Sequence, residues 1–429
     1  MSRPLAYRTS KSARLAPIQI VFFAFTALAG WTWVEGDVGA GIAGRVTWGE
    51  VMGIAIIMAA LLKLFLAQAR PVIALPMQYK AALLLYLVFL ISAAQGYNPS
   101  ASLFELLVHV FIFTVSLALL VLAGQVTDAV LRGCLLGTLY GSGLIAAIGI
   151  AQFLFFPHWF SGAQGGLSGT FRNTGQAGAY FGMFLALFIP AFMSGYLRLN
   201  ALRMVALLLL LVALVLTLKR SFLIGTLAGF SFALLGCLFT GRVSMVKRMG
   251  KAIVAALIGA AVLHAAFSFA SGAVAGFDDR VGRKLRVTDL ESLTEGFFEA
   301  NLGYAIAAFS DAPLLGIGWA NLREMTGFQY EIHGTWLALA GYVGLIGVLA
   351  GFIFFAVIGR ALFRASARSA DPALSAFLIL LFFFYLGLLI GWLYTYPLRK
   401  REFWIFMSLV SMAIMLAQRR NTVSPSGGA

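Results

Sequence analysis

Twelve apolar runs, most of them long enough to cross a lipid bilayer as a helix, leave this chain few possible folds. A transmembrane helix needs about 20 apolar residues to span a hydrocarbon core about 30 Å thick. The runs lie at residues 17–35, 48–68, 81–95, 103–124, 131–156, 176–197, 204–218, 222–240, 252–271, 334–358, 373–396 and 403–418. The sequence therefore predicts an all-α fold, in which residues 1–429 form a single polytopic transmembrane domain of about twelve helices.

The composition excludes soluble alternatives. The chain of 429 residues is 61% hydrophobic and 11% charged, whereas a soluble domain is about 45–50% apolar and about 25% charged. Intrinsic disorder needs low hydrophobicity and high charge, so it is excluded as well. A net charge of +15 would suggest nucleic-acid binding by a soluble chain, but in so apolar a chain it indicates membrane topology. We therefore expect membrane lipid, and no nucleic acid, as a partner.

The distribution of the cations predicts an orientation. With the N-terminus in the cytoplasm, the cytoplasmic ends of the helices hold 19 of the 31 Lys and Arg residues, but only two of the 16 acids, Asp128 and Asp371. Cytoplasmic loops of membrane proteins are enriched in Lys and Arg. The pattern therefore predicts that both termini are cytoplasmic.

One connection between the predicted helices is much longer than the others. Residues 272–333 form an extracytoplasmic loop between the ninth and tenth helices, and within it residues 292–311 have the mixed polarity of a short helix lying along the membrane surface. A second outer loop, residues 157–175, is rich in glycine. We expect these loops to cover the outer face of the bundle.

Two clusters of cations on the outer face run against the topology rule. They are Lys219 and Arg220, between two apolar runs, and Arg399, Lys400 and Arg401, before the last run. Cations near hydrocarbon are costly and tend to mark anion or substrate sites. An alternative remains open for each cluster. The Lys219–Arg220 pair could extend its side chains to the interface, and Arg399–Arg401 could form a solvated turn paired with Glu402 and anionic lipid.

Further cations lie in the two outer loops. Arg280, Arg283, Lys284 and Arg286 follow Asp278 and Asp279, which would be ordinary ion-pair partners. Arg172 lies in the sequence GTFRNTGQ, where glycines would let backbone N–H groups approach an anion, although such loops are also ordinary turns.

If these outer segments converge, a diphosphate is the natural ligand of their cations. Arginine binds phosphate oxygens through a planar fork of donors, and lysine binds them as a point charge. The sequence has no Walker motif for a nucleotide and no acidic cluster for Mg²⁺. Cys134 and Cys237 lie in or beside apolar runs, and no Cys and His spacing resembles a zinc site. We therefore expect a lipid-linked phosphate, with no metal and no cofactor.

His333 is the best candidate for proton transfer. It stands at the end of the long outer loop, immediately before an apolar run, and Glu331 is close enough in sequence to orient it. An imidazole accepts a proton near neutral pH. The alternative is a structural histidine at the membrane interface. His109 and His264 lie within apolar runs and are expected to form hydrogen bonds inside helices, and His158 is a loop residue with no neighbouring polar cluster.

Residues 309–347 carry a resemblance to a known family. The sequence FSDAPLLGIGWANL is followed by EIHGTWLALAGYVGLIG, and together they resemble the O-antigen ligase and polymerase superfamily. The shared elements are an Asp-x-Pro-Leu-Leu-Gly-x-Gly segment, a histidine that opens a helix and a following Gly-x-x-Gly pair; the matching motif residues are Asp311, Pro313, Gly316, Gly318, His333, Gly344 and Gly347. The GTFRN segment, the Lys219–Arg220 pair and the RKREFW run are also similar to the family. Gly334 differs, since ligases commonly carry Asn, Ser or Gln there, and Ala340 and Gly341 stand where many relatives carry an acid.

The resemblance implies a metal-independent glycosyltransferase of the bacterial inner membrane, with a periplasmic active site. The donor would be a glycan linked to undecaprenyl diphosphate, His333 would be the base on the acceptor hydroxyl, and Arg220 with the other outer cations would hold the diphosphate. In ligases the acceptor is lipid A–core, and in polymerases it is another lipid-linked repeat. We favour the ligase and keep the polymerase as the alternative. A secondary transporter is a third hypothesis, although the sequence shows no internal repeat.

Overall fold

Apolar helices make up the bundle, as seen in a computed structural model that describes residues 17–32, 47–67, 75–156, 166–239, 246–247, 250, 268, 297–327 and 331–422. Within those ranges the helices are α1 Pro17–Ala29, α2 Trp48–Leu66, α3 Met77–Gln95, α4 Pro99–Ala123, α5 Asp128–Phe155, α6 Thr174–Met193, α7 Ala201–Leu216, α8 Arg220–Phe239, α9 Phe297–Asp311, α10 Leu322–Thr326, α11 Thr335–Arg368, α12 Pro372–Gly391 and α13 Arg401–Thr422.

The fold class predicted from the sequence is confirmed: the protein is an all-α, multi-pass membrane bundle. Nine of the described helices are long and apolar enough to cross a membrane, and α1 and α7 are shorter apolar helices. Eleven of the twelve predicted spans coincide with one of these helices. The remaining span, residues 252–271, lies outside the described residues except for position 268, and the 272–296 part of the long loop lies wholly outside them.

Within the long loop, α9 forms where mixed polarity predicted a short helix, and α10 follows it. α9 packs against α11, the helix that begins just after the loop. The loop therefore contributes a helix that touches the start of a long span.

Burial separates central helices from peripheral ones. α6 and α13 bury 83% of their apolar windows, whereas α2 buries 22% and α8 buries 28%. α2 turns only a narrow stripe inward, at Gly49, Gly53, Ile56 and Ala60. The apolar side chains on its other faces are exposed, as expected for a helix surface in contact with lipid.

Glycines let α8 and α12 approach until their backbones touch. A Cβ atom added at Gly225 would lie 2.9 Å from the carbonyl oxygen of Gly387, and one added at Gly387 would collide with the backbone of Gly225 and Gly229. Small residues four apart allow such close packing of transmembrane helices. This contact fixes the start of α8 beside the end of α12.

The long helix α11 is broken at Gly344, whose φ of 70° and ψ of −166° are not helical. Residues 313–318, which we call the 313–318 segment, fill the break. Four backbone hydrogen bonds join the segment to both sides of the break: Leu345 N to Pro313 O (2.8 Å), Ile346 N to Leu314 O (3.2 Å), Ile317 N to Gly341 O (3.2 Å) and Gly318 N to Tyr342 O (3.0 Å). The segment thus satisfies the backbone groups that a broken helix leaves open.

This arrangement gives the glycines of the 313–318 segment a physical role. A Cβ atom at Gly316 would collide with the backbone of Tyr342, and one at Gly318 would lie 2.7 Å from the Ser102 hydroxyl. The motif therefore holds a break in a membrane helix.

Candidate functional site

Several connections meet at one end of the bundle, which we call the His333 end. They are the loop 166–173, the turn 217–219, the segment 331–334 and the loop 392–400. The opposite end, where α2 and α4 finish, we call the Lys63 end. The His333 end holds every candidate diphosphate-binding cation that the structure describes.

The backbone around His333 is fixed from two sides. The N–H of His333 donates to Oδ1 of Asn301 at 2.7 Å, and the N–H of Ile332 donates to the phenol oxygen of Tyr342 at 2.8 Å. Asn301 is buried on α9 and Tyr342 is buried in α11. The side chain of His333 itself remains exposed. The fold therefore presents an accessible imidazole on a rigid backbone.

Gly334 brings the 392–400 loop against His333. Its φ is 95°, and a Cβ atom there would collide with the carbonyl oxygen of Leu393. The next residue, Thr335, donates its N–H to Trp392 O at 2.9 Å and its hydroxyl to Thr395 O at 2.8 Å. Only glycine avoids both the clash and the strain of a left-handed backbone. Gly334 is thus required by this chain's own loop packing.

An acidic and basic network lies beside His333. Arg399 pairs with Glu331 at 2.5 Å and with Glu105 at 3.2 Å. Desolvation acts to raise the pKa of Glu331, but the Arg399 guanidinium lowers it below its ordinary value. Desolvation acts to lower the pKa of Arg399, and the carboxylates of Glu331 and Glu105 raise it above its ordinary value. Both members of the pair are therefore held in their charged forms.

Lys219 and Lys400 supply positive charge close to His333. Lys219 lies along the start of α6, because a Cβ atom at Gly178 would be 2.8 Å from Lys219 Cβ and one at Gly175 would be 3.7 Å from Lys219 Cε. Desolvation lowers the pKa of both lysines. An anion bound near them would oppose that shift, since it favours the charged ammonium.

Desolvation and the charged neighbours Glu331, Lys400 and Lys219 together shift the pKa of His333. Loss of hydration lowers it first, the Glu331 carboxylate raises it, and the ammonium groups of Lys400 and Lys219 lower it; the net pKa is below the ordinary value of 6.5. The neutral imidazole, which can accept a proton, is therefore favoured at neutral pH.

Arg401 lies at the same end and is engaged in a structural contact. Its guanidinium binds the Glu50 carboxylate, with Nε to Oε1 at 2.8 Å, and the two side chains are 14% and 23% exposed. The other oxygen of Glu50 accepts from the N–H and hydroxyl of Thr47. This ion pair joins the start of α2 to the start of α13.

Arg172 and Arg220 also lie at the His333 end. The side chain of Arg172 is exposed, and its N–H donates to the Thr32 hydroxyl at 3.0 Å. The loop is held further by Leu167 N, which donates to Leu216 O at 2.8 Å. Arg220 is half-buried at the first position of α8. Arg280 and Arg283 lie outside the described residues.

The structure adds residues that the sequence did not single out. Asn301 carries no motif, and only its hydrogen bond to His333 reveals it. Glu105 lies near the start of α4, and nothing in the sequence indicates that it pairs with Arg399. His109 is buried, with Nδ1 2.7 Å from Glu105 O and Nε2 3.1 Å from the Tyr396 hydroxyl, as expected for a hydrogen-bonded histidine inside a helix.

The described residues contain no group of three or more His, Cys, Asp or Glu side chains placed to hold a metal ion. Asp311, at the end of α9, accepts a hydrogen bond from the Tyr97 hydroxyl at 2.5 Å. At this end, the ammonium groups of Lys219 and Lys400 can bind an anion, and the imidazole of His333 can accept a proton.

Comparison with known proteins adds no further assignment, because no protein-family model matches the chain and no curated protein matches it significantly.

Proposed function

We propose that this protein is a metal-independent glycosyltransferase of the O-antigen ligase type in the bacterial inner membrane. It would transfer a glycan from undecaprenyl diphosphate to lipid A–core, with the His333 end facing the periplasm. One observation carries the proposal: an exposed imidazole with a lowered pKa stands beside the lysines of two separate connections, Lys219 and Lys400. The choice of a glycan as the transferred group rests on the resemblance of residues 309–347 to the ligase and polymerase superfamily.

The proposed reaction uses these groups in a single displacement. The acceptor hydroxyl gives its proton to His333 as its oxygen attacks the anomeric carbon of the donor. The bond from that carbon to the diphosphate oxygen breaks, and the electron pair leaves with the diphosphate. Lys219 and Lys400 stabilise the negative charge that builds on the leaving group, with Arg220 and Arg172 as further candidates. Arg399 acts chiefly on Glu331 and Glu105.

Two alternatives use the same fold differently. A polymerase would use the same donor and base but transfer the glycan to another lipid-linked repeat. A secondary transporter is suggested by the broken helix α11, because transporters bind ions at the open ends of such helices. Against this, the 313–318 segment takes four backbone groups at the break at Gly344. Counterflow of a labelled solute in proteoliposomes would support transport.

Deletion of the gene in the source bacterium separates ligase from polymerase. We expect lipopolysaccharide that carries unmodified core and lacks the O-antigen ladder on a gel, with the ladder restored by the wild-type gene. A product with a single repeat would assign the polymerase instead. A full ladder in the deletion strain would contradict both.

The electrostatic neighbours of His333 predict opposite shifts in pH dependence. Transfer needs neutral imidazole, so kcat/KM should fall as the pH drops through the pKa of His333. Lys400→Met removes a charge that lowers this pKa, so the acidic limb should move to higher pH. Glu331→Gln removes a charge that raises it, so the limb should move to lower pH. Reconstituted protein with purified donor and acceptor would give both profiles, and unchanged limbs would exclude His333 as the titrating base.

Arg220 provides a test of diphosphate binding. Arg220→Ala should weaken use of the donor more than Arg220→Lys, because lysine keeps the charge but loses the planar fork. We expect KM for the donor to rise by about tenfold in the alanine variant, in line with one lost charge-assisted hydrogen bond of about 1.5 kcal/mol. If both variants keep wild-type kinetics, Arg220 does not bind the diphosphate.

A further inference from the structure

A cavity of about 840 Å³ lies at the Lys63 end, where α2, α3, α4, α11 and α13 meet. Among the described residues, its lining includes three cations, Lys63, Lys80 and Arg419, and no Asp or Glu. The rest of the wall combines amide side chains, such as Gln125, with apolar ones, such as Leu64. A cationic and apolar wall of this kind suits an amphiphile whose polar group carries negative charge.

The helix ends at the cavity strengthen its positive potential. The Nζ atom of Lys63 donates to the last carbonyls of α4, Val121 O at 3.0 Å and Leu122 O at 2.9 Å, and so neutralises the negative end of that helix. The first turn of α3 carries Lys80 and no acid, and its N-cap residue Pro76 offers no side-chain hydrogen bond. The positive end of α3 is therefore not neutralised by its own first turn.

The cavity borders the surface that faces lipid. Leu64 lines it on α2, and the next residues, Phe65 and Leu66, are 87% and 66% exposed. Met77, at the start of α3, also lines the cavity and is exposed. Acyl chains that cover these side chains would place their headgroup beside the three cations.

We propose that this cavity binds the phosphate headgroup of an anionic phospholipid, with its acyl chains against α2. Cations at this end are expected from topology alone, but topology does not require three of them to line one cavity without an acid. The bound lipid would hold the last turns of α2, at the Lys63 end, against α3 and α4. α2 has only a narrow buried stripe of its own.

Native mass spectrometry of the purified full-length protein in neutral detergent tests this proposal. We expect phosphatidylglycerol to be retained about tenfold more strongly than phosphatidylcholine with the same chains, because each cation near an anionic headgroup contributes. The double variant Lys80→Gln/Arg419→Gln should lose this preference. Lys63 is left intact because it caps α4.

Two further variants separate lipid binding from general effects. Arg364→Gln/Arg368→Gln removes the same charge from exposed positions of α11 that do not line the cavity, and it should keep the preference. Lys80→Arg/Arg419→Lys keeps both charges and should also keep it, which controls for folding. Equal retention of the two lipids, or the same preference in the Gln variants of both pairs, would overturn the proposal.

Inorganic phosphate distinguishes a lipid site from a site for free phosphate. At millimolar concentration it should not displace phosphatidylglycerol, and it should not raise the melting temperature. Displacement together with stabilisation by phosphate alone would assign the cavity to a soluble anion and overturn the lipid proposal. Glycan transfer is measured separately, so either result leaves the proposed function untouched.

Discussion

Replacing His333 with alanine should lower the rate of glycan transfer by about 10²–10⁴-fold, which is the usual contribution of a positioned general base. The imidazole is exposed, and the hydrogen bond to Asn301 is made by the backbone N–H of His333, which alanine retains. The variant should therefore fold and insert like the wild type. Transfer measured with purified donor and acceptor in proteoliposomes gives the rate.

A matched histidine variant isolates the chemistry. His158, which the sequence places in the other outer loop, lies outside the described residues, and His158→Ala should keep full activity. Asn301→Ala should give an intermediate loss of transfer rate. It leaves the imidazole in place but removes the 2.7 Å hydrogen bond that holds the backbone N–H of His333. If His333→Ala turns over at the wild-type rate, the general-base role is wrong, although the anion site could still stand.

The helices could be predicted from sequence because a segment that crosses lipid must be helical, so that its backbone groups bond to each other, and must carry a long run of apolar side chains. Most of the described helices that match a span lie within a few residues of its predicted limits, although α1 and α12 end early, at Ala29 and Gly391, and α11 continues to Arg368. Its last part, with Arg360, Arg364 and Arg368, is polar, so an apolar window ends before the helix does.

The break at Gly344 could not be predicted in the same way. The apolar pattern runs through it without interruption, and Gly341, Gly347 and Gly351 look the same in sequence. Only the approach of the 313–318 segment decides which glycine leaves the helical conformation. The glycines of residues 313–318 are visible in the sequence, but their role in filling the break at Gly344 is not.

The charged pairs of the site were hidden for a related reason. Glu50 and Arg401 are 351 positions apart, and the partner of Arg399 on α4, Glu105, is almost 300 positions from it. The sequence shows each residue as a charge near the end of an apolar run, but the distance along the chain leaves the pairing undetermined. The sequence identified the cations, and the fold divides them between ion pairs and the surroundings of His333.

Gly344→Ala should destabilise the protein by about 3 kcal/mol, because it combines a positive φ with a steric clash in a packed core. A Cβ atom at Gly344 would lie 2.5 Å from the carbonyl carbon of Leu314 and 2.6 Å from Gly316 N. The 313–318 segment would have to move away from Tyr342. Tyr342 also holds Ile332, immediately before His333, so transfer should fall together with the melting temperature.

Gly359→Ala on the same helix is the matched control. Its added Cβ atom would make ordinary contacts, the nearest at 3.5 Å to Tyr385 Cε1. Alanine is favoured over glycine inside a helix by about 1 kcal/mol, so this variant should be as stable as the wild type or more so. Thermal melting of both purified variants in the same detergent makes the comparison. If the two variants melt together, the break is not held by the 313–318 segment. If Gly344→Ala melts early but keeps the wild-type rate below its melting point, the segment stabilises the bundle without positioning His333.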